Sequence, residues 1–247
     1  PDGVDVHVVN TCTVTHVADR KARQALRNAG RRSLGALVVA TGCYAQRTPD
    51  QLAQVEGVDF VLGNVEKDTL VETVSRSMGM ADAPAHTDGT FFEEPAPPVK
   101  TRAMVKIQEG CDQVCAYCIV PKVRGRERSV PPETLIRLVQ ELAAGGCQEV
   151  VLTGTQLGTY GFDIEGMSLT RLVRGILDET DVSRLRVSSL QPQELTSELL
   201  SLWKDSRLCP HFHLALQSGS ATVLKAMRRR YTPDQYVRAV ETIREMV

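Results

Sequence analysis

No apolar run in this 247-residue chain approaches the roughly 18 residues that a membrane-spanning helix requires, so no membrane partner is expected. No sign of charge dominates: 29 Lys and Arg against 30 Asp and Glu leave a net charge of -1. That balance removes any global argument for nucleic acid, and such a partner has to be sought in local patches. No spacing suggests a Ser, His and Asp triad or a pair of catalytic carboxylates. No basic and apolar leader opens the sequence. Pro1 stands directly before a β-branched run, so the beginning of a longer protein is expected to be missing. What is present is an ordinary globular composition, 42% hydrophobic and 24% charged, enough for one or two folded units with sizeable cores. The seven cysteines are an odd number in a chain too long to need disulfide staples, which argues against a secreted disulfide framework.

The fold class expected is α/β, with an N-terminal doubly wound parallel-sheet domain followed by an incomplete (β/α) barrel. Residues 4–10 (VDVHVVN) read as a strand and 14–32 as a helix. The alternation recurs at 36–40 and 49–55, then at 59–62 and 66–77. Residues 78–100 gather Pro, Ala and acidic residues without apolar periodicity and read as a linker between a domain at 1–77 and one at 101–247. The second domain is expected to place strands at 102–108, 149–153, 184–188 and 212–216, with helices at 132–144, 169–179, 194–204 and from 233 onward. The chain stops at Val247 inside that last helix, so the barrel is expected to be cut off before it closes.

The run Cys111-Asp-Gln-Val-Cys115-Ala-Tyr-Cys118, C-x3-C-x2-C, follows the first strand of the second domain, on the face where barrel loops carry chemistry. Three thiolates so close together can converge on one metal centre. A structural zinc site takes four ligands, and a ferredoxin run would be C-x2-C-x2-C with a fourth cysteine. A 4Fe-4S cluster on three thiolates leaves one iron open for a substrate or cofactor. Three buried or zinc-binding cysteines are the plainer alternative. Cys147, after Gly145-Gly146, and Cys209, before Pro210, read as buried, inert thiols.

With an aromatic Tyr117 before the third cysteine, this motif resembles the radical S-adenosylmethionine superfamily, and GCDQVCAYCIVPKVRGRERS resembles its methylthiotransferase family. NTCTVTHVADRKARQ and TGCYAQ resemble that family's amino-terminal domain, while LTGTQLGTYG, SSLQP, HLALQSGS and MRRRYT resemble its barrel. The wording NTCTVT, GCYAQ and TGTQLGTYG is most similar to the group acting on N6-threonylcarbamoyladenosine in tRNA. The resemblance implies a transferase with two 4Fe-4S clusters and S-adenosylmethionine, the latter held on the open iron of the Cys111, Cys115 and Cys118 cluster. It implies cleavage to a 5'-deoxyadenosyl radical, hydrogen abstraction from carbon 2 of the adenine, and transfer of a methylated sulfur from the second cluster, the methyl group coming from a second S-adenosylmethionine. Cys12 and Cys43 match two ligands of that auxiliary cluster, and the third is expected upstream of Pro1. An electron donor and a sulfur source are also implied, and cytoplasmic location is expected from thiolate ligands and oxygen-sensitive clusters.

Candidates for holding the cofactor are Tyr117 and residues at the carboxyl ends of the barrel strands: Thr153, Gly154 and Gln156, then Ser188 and Ser189, then His213 and Gln217. The plainer reading makes Ser189 a turn cap and His213 barrel filling. Gln191 stands where the family more often has Glu, so a charged contact is expected to be lost. Arg20, Arg23, Arg27 and Arg31 fall at offsets 0, 3, 7 and 11, one stripe of a helix that could follow the phosphates of tRNA. A solvated helix face is the usual reading of such a run, but acids are scarce beside it, with Asp19 the only one after Asp5 and before Arg32. Lys122, Arg124, Arg126 and Arg128, and Arg228 to Arg230, form further basic groups. Rival activities within the resemblance are modification of isopentenyladenosine in tRNA or of a ribosomal-protein aspartate. A rival of another class is a non-catalytic metal- or RNA-binding module.

Overall fold

The computed structural model of the chain describes residues 4–32, 35–80 and 101–247. Most of the expected linker, 81–100, lies outside the described residues. Two compact units emerge, the first running to residue 93 and taking in 122–124, the second covering 94–121 and 125–247.

The first unit comprises β1 (Val6–Thr11), α1 (His16–Arg32), β2 (Leu37–Gly42), α2 (Cys43–Arg47), α3 (Pro49–Ala53), β3 (Phe60–Leu62) and α4 (Leu70–Ser77). The strands are parallel in the order β1-β2-β3, with Thr11 opposite Gly42. Ala22, Leu26 and Ala29 recur at helical spacing on α1 and pack on Val38, Ala40, Tyr44 and Leu52, so the core lies between α1 and the sheet. The helix expected at 49–55 is only the second of two short helices. α2 was not foreseen, because it begins at Cys43 directly after a left-handed Gly42 and has no side-chain cap to announce it. The helix expected at 66–77 starts instead as a 3-10 turn, Lys67–Thr69.

The second unit holds β4 (Arg102–Glu109), α5 (Val120–Arg124, whose last three residues group with the first unit), β5 (Arg128–Ser129), α6 (Pro132–Ala144) and β6 (Glu149–Gly154). It continues with α7 (Leu169–Glu179), β7 (Arg184–Val187), β8 (Ser189–Leu190), α8 (Ser197–Leu200), β9 (His213–Leu214), α9 (Ala221–Ala226) and α10 (Pro233–Met246). β4, β6 and β7 are parallel neighbours, β5 adds antiparallel to the end of β4, and β8 pairs parallel with β9. The sheet is a curled half-barrel. Val105, Ile107, Val150, Leu152, Leu185 and Val187 alternate along the strands and meet Leu135 and Val139 of α6 and Leu172, Val173 and Ile176 of α7. The helix expected at 194–204 is a correction: α8 is flanked by 3-10 turns at Pro192–Glu194 and Ser201–Lys204, since Pro192 and the Thr196 side chain, which accepts from the Leu199 amide, each restart the helix. The strand expected at 212–216 shortens to His213–Leu214. Among the described residues no helix is long and apolar enough to cross a membrane.

At the amino-terminal end of the half-barrel, one buried carboxylate ties three strands. Glu149 meets Arg102 at 2.7 Å, Arg184 at 3.1 Å and Arg186 at 3.2 Å. Hydrogen bonds from Arg186 and then Arg184, with the charges of Arg186 and Arg102, outweigh burial and bring its pKa from 4.5 to about 2. A lowered carboxylate pKa stabilises the fold fully above about pH 4.5 and ceases to do so as pH falls toward 2. Glu149→Gln should therefore lower the urea midpoint at pH 7, with the difference from wild type shrinking below pH 4.5. The effect is at most about 3 kcal/mol, and less because Arg102 and Arg184 are more than half exposed.

Candidate metal and cofactor site

The loop from Cys111 to Cys118 leaves the carboxyl end of β4 through Gly110, whose φ of 79° only glycine adopts readily. A Cβ there would overlap the Arg126 carbonyl. The return strand holds the loop. The Cys111 amide donates to Gly125 O at 3.2 Å, the Asp112 amide to buried Glu127 at 3.1 Å, and Asp112 pairs with Arg126 at 3.0 Å. Cys111 is buried, and Cys115 and Cys118 are half-buried. Burial pushes the Cys111 thiol up, and the charges of Glu127, Cys118 and Cys115 push it further. Among the described residues no three donors close to the spacing of a single-ion site. A lone zinc at 2.3 Å would draw its sulfurs to about 4 Å apart. Three thiolates on one loop are the donor set an iron-sulfur cluster takes, each thiolate binding its own iron.

Beneath the loop runs a chain of buried amides. Gln108, at the end of β4, accepts from the Thr155 amide at 3.0 Å and the Gln156 amide at 2.9 Å and donates to Gly110 O at 3.0 Å. Gln156 donates to Glu194 and accepts from Gln191 at 2.7 Å, and Gln191 also donates to Gln113 of the cysteine loop at 3.2 Å. Burial, with a smaller push from Glu127, raises the Glu194 pKa to about 7 against the hydrogen bonds it accepts. Gln108, Gln113 and Glu194 were missed in the sequence. The one available signal was a polar residue ending the apolar alternation of β4. This network bears on the expected cofactor residues. Gln156 is buried with its amide committed inside the fold, Thr153 donates to Val105 O at 3.2 Å, and Gly154 is small because a Cβ would come within 3.0 Å of the Gln108 carbonyl. Ser188 is half-buried and its amide donates to Leu152 O at 3.1 Å, whereas Ser189 and His213 are exposed and share a hydrogen bond at 2.7 Å. His213 therefore does not fill the barrel interior.

Tyr117 is exposed, and its hydroxyl donates to Gln217 at 3.0 Å while accepting from Arg229 at 2.6 Å. The Arg229 guanidinium lies 5.8 Å from the Tyr117 ring centroid, and the Ala116 amide donates to Met227 O at 3.1 Å. Among the described residues the two non-glycine positions with positive φ are Gln217 at 63° and Arg228 at 56°, both at this contact. Burial works against the Arg229 charge, but the Tyr117 hydroxyl and the nearby Cys115 outweigh it and raise its pKa. Cys147 and Cys209 are buried, as expected.

In the first unit, Cys12 and Cys43 each follow directly on the paired residues Thr11 and Gly42, which sets them at neighbouring positions on one sheet edge. Cys12 is exposed and Cys43 buried, the latter accepting from Asn64 at 3.6 Å. The Thr11 hydroxyl donates to Thr41 O at 2.6 Å and accepts from the Ala45 amide at 3.2 Å, fixing the two chain turns together. Of the arginine stripe, Arg20, Arg27 and Arg31 are exposed. Arg23 is half-buried, donates to the Tyr44 hydroxyl and lies over its ring, because it stands nearest the core side of α1. Asp19 is buried against Arg47 at 3.4 Å and so does not neutralise the stripe.

Comparison with known proteins adds to this geometry. The sequence profile of the Radical SAM superfamily matches residues 105–247, more than half of the chain, and that of Uncharacterized protein family UPF0004 matches residues 1–63. The chain is 40% identical over 252 residues to the threonylcarbamoyladenosine tRNA methylthiotransferase MtaB of Aquifex aeolicus (strain VF5), covering 99% of this chain and 61% of that protein. It is 36% identical to the protein of the same name in Bacillus subtilis (strain 168), covering 93% and 53%, and 34% identical to the tRNA-2-methylthio-N(6)-dimethylallyladenosine synthase of Syntrophus aciditrophicus (strain SB), covering 97% and 55%. The chain thus spans between about half and three-fifths of the length of these relatives. In fold it is similar to the radical S-adenosylmethionine methyltransferase TsrM from Kitasatospora setae, solved with cobalamin and a [4Fe-4S] cluster bound, at a TM-score of 0.69 and 17% identity over 98% of this chain and 56% of that one.

Proposed function

This chain belongs to the radical SAM superfamily, and from that membership we propose that it forms the catalytic part of a tRNA methylthiotransferase acting on carbon 2 of N6-threonylcarbamoyladenosine. The observation that carries the reading is the pairing of the Cys111, Cys115 and Cys118 loop at the mouth of the half-barrel with a second thiol pair, Cys12 and Cys43, on the edge of a separate sheet. Relatives carrying the MtaB name support it across nearly the whole chain. Functionally the division is 1–77 for the auxiliary site, 78–100 as linker and 101–247 as the core.

In this reading Cys111, Cys115 and Cys118 hold the cluster that binds S-adenosylmethionine, and Cys12 and Cys43 hold two corners of an auxiliary cluster. When bound, these groups supply one-electron cleavage of S-adenosylmethionine and the sulfur for the adenine. The residues of the chain position and enclose. Gln108 locks the end of β6 to the start of the cysteine loop, and the Gln113, Gln191 and Gln156 amides hold its floor. Ser189, His213, Gln217 and Tyr117 present their polar groups at exposed strand ends, where a ribose or carboxylate could be held, with Ser188 and Thr153 set deeper. An electron donor and a sulfur source complete the cycle, in the cytoplasm, where oxygen-sensitive thiolate centres persist.

Nucleoside mass spectrometry of tRNA from a deletion strain tests the substrate. The 2-methylthio form of threonylcarbamoyladenosine should vanish and return with the full-length gene. Its retention, with loss of the dimethylallyl product instead, would favour the activity named for the Syntrophus relative. The exposed arginines Arg20, Arg27 and Arg31 are proposed to contact tRNA phosphates. Replacing all three by Ala should weaken tRNA binding by full-length protein and flatten the log affinity against log salt slope by about 2 to 3, one phosphate contact each. An unchanged slope would return the stripe to a solvated face.

A further inference from the structure

Gln217 and Arg228, the two left-handed non-glycine residues among those described, bracket a single contact. Such conformations are costly and persist where the surroundings enforce them, which is why they concentrate at functional sites. Here they let two separate turns reach the cysteine loop. Gln217 accepts from the Tyr117 hydroxyl, and the turn through Arg228 delivers both the Met227 carbonyl to the Ala116 amide and the Arg229 side chain onto the Tyr117 ring. Arg229 Nε is buried and has no hydrogen-bond partner among the described residues, an N–H that a fold ordinarily satisfies. One cation, half-buried, with a donor to spare, thus stands against Tyr117, the residue directly before Cys118, and within electrostatic reach of Cys115.

We infer that Arg229 is a positioning residue of the cysteine loop, clamping Tyr117 and setting a fixed positive charge beside the Cys115 corner of the cluster so that the reduced state is favoured. Reduction adds a negative charge to the cluster. A nearby guanidinium therefore stabilises the reduced form more than the oxidised one, and cluster potentials respond to net charge and to hydrogen bonds on sulfur. Tyr117 fixes the guanidinium by stacking and by its hydroxyl, and the left-handed turn at Arg228 keeps that side chain from swinging away.

The inference rests on reading Cys111, Cys115 and Cys118 as the cluster ligands, and the experiment separates the two. Full-length protein lacking Cys12 and Cys43, so that a single cluster reports, is reconstituted without oxygen as the Arg229 parent, Arg229→Gln and Arg229→Lys. Iron is counted, and the midpoint potential is read by a redox titration followed by electron paramagnetic resonance. The Gln variant should load iron and lose about tenfold in the ratio of reduced to oxidised cluster at a fixed potential, ~59 mV for a one-electron couple. The Lys variant, which keeps the charge without the planar fork, should recover most of that shift. A Gln variant that fails to load beside a Lys variant that loads at the parent's potential supports the same assignment. A fully loaded Gln variant with the parent's potential overturns it. So does a Lys variant shifted as far as the Gln one, or loss of iron in both, which would make the contact purely structural. A parent chain whose signal is absent or survives removal of Cys111, Cys115 and Cys118 fails at the reading of the site itself, a different pattern from any Arg229 result.

Discussion

Full-length protein carrying Cys111→Ala, Cys115→Ala and Cys118→Ala, reconstituted without oxygen, should hold about four irons where the wild type holds about eight, and its cleavage of S-adenosylmethionine should fall to background. The loss is complete because the three thiols share one short loop and the variant removes all of them together. The fold itself should survive. The buried core of the second unit lies between the strands and helices α6 and α7, and none of the three thiols belongs to it. Far-ultraviolet circular dichroism unchanged beside the lost iron would separate a missing ligand from a misfolded chain. Iron unchanged in the triple variant would remove the loop as a cluster site.

Replacing Cys12 and Cys43 together by Ala should produce the complementary result. Iron should again fall from about eight to about four per chain, S-adenosylmethionine cleavage should persist, and the methylthio product should disappear. The two positions are suited to act together because the parallel register sets Thr11 opposite Gly42, and the Thr11 hydroxyl bonds to both turns that follow. Removing exposed Cys12 leaves no cavity, while removing buried Cys43 deletes one sulfur that accepts from Asn64, so the cost in stability is small against the loss of function. Iron content that stays at the wild-type level, with product still formed, would assign these cysteines no ligand role. It would also require another sulfur source.

The periodicities of the chain carried most of the architecture. β-branched runs such as VHVVNT and LVVATG, alternating with amphipathic segments, announce parallel βα units, and Thr232, Pro233 and Gln235 announce the start of α10 through a capping box. The cysteine spacing, the odd thiol count and the arginine offsets were equally legible, since each is a matter of residue type at a short, fixed separation. The broken helix around Pro192, the two-residue strands β5, β8 and β9, and α2 were not legible. Each is too short for its own pattern and exists because neighbours supply its hydrogen bonds.

The sequence by itself thus determined where the thiols lie, in which loop and after which strands, and that a stripe of guanidinium groups follows the first helix. Only the tertiary structure decided which side chains surround them. It turned Arg23 inward onto Tyr44, committed Gln156 and Thr153 to the fold, left Ser189 and His213 exposed, and linked Gln113 of the cysteine loop through Gln191 and Gln156 to Gln108 and Glu194. It also carried Arg229 across more than a hundred residues to Tyr117. The reason is physical. A cysteine motif is written in local spacing because its thiols are near neighbours in the chain, whereas a hydrogen bond between distant strand ends depends on register, burial and turn geometry that arise once the sheet has curled.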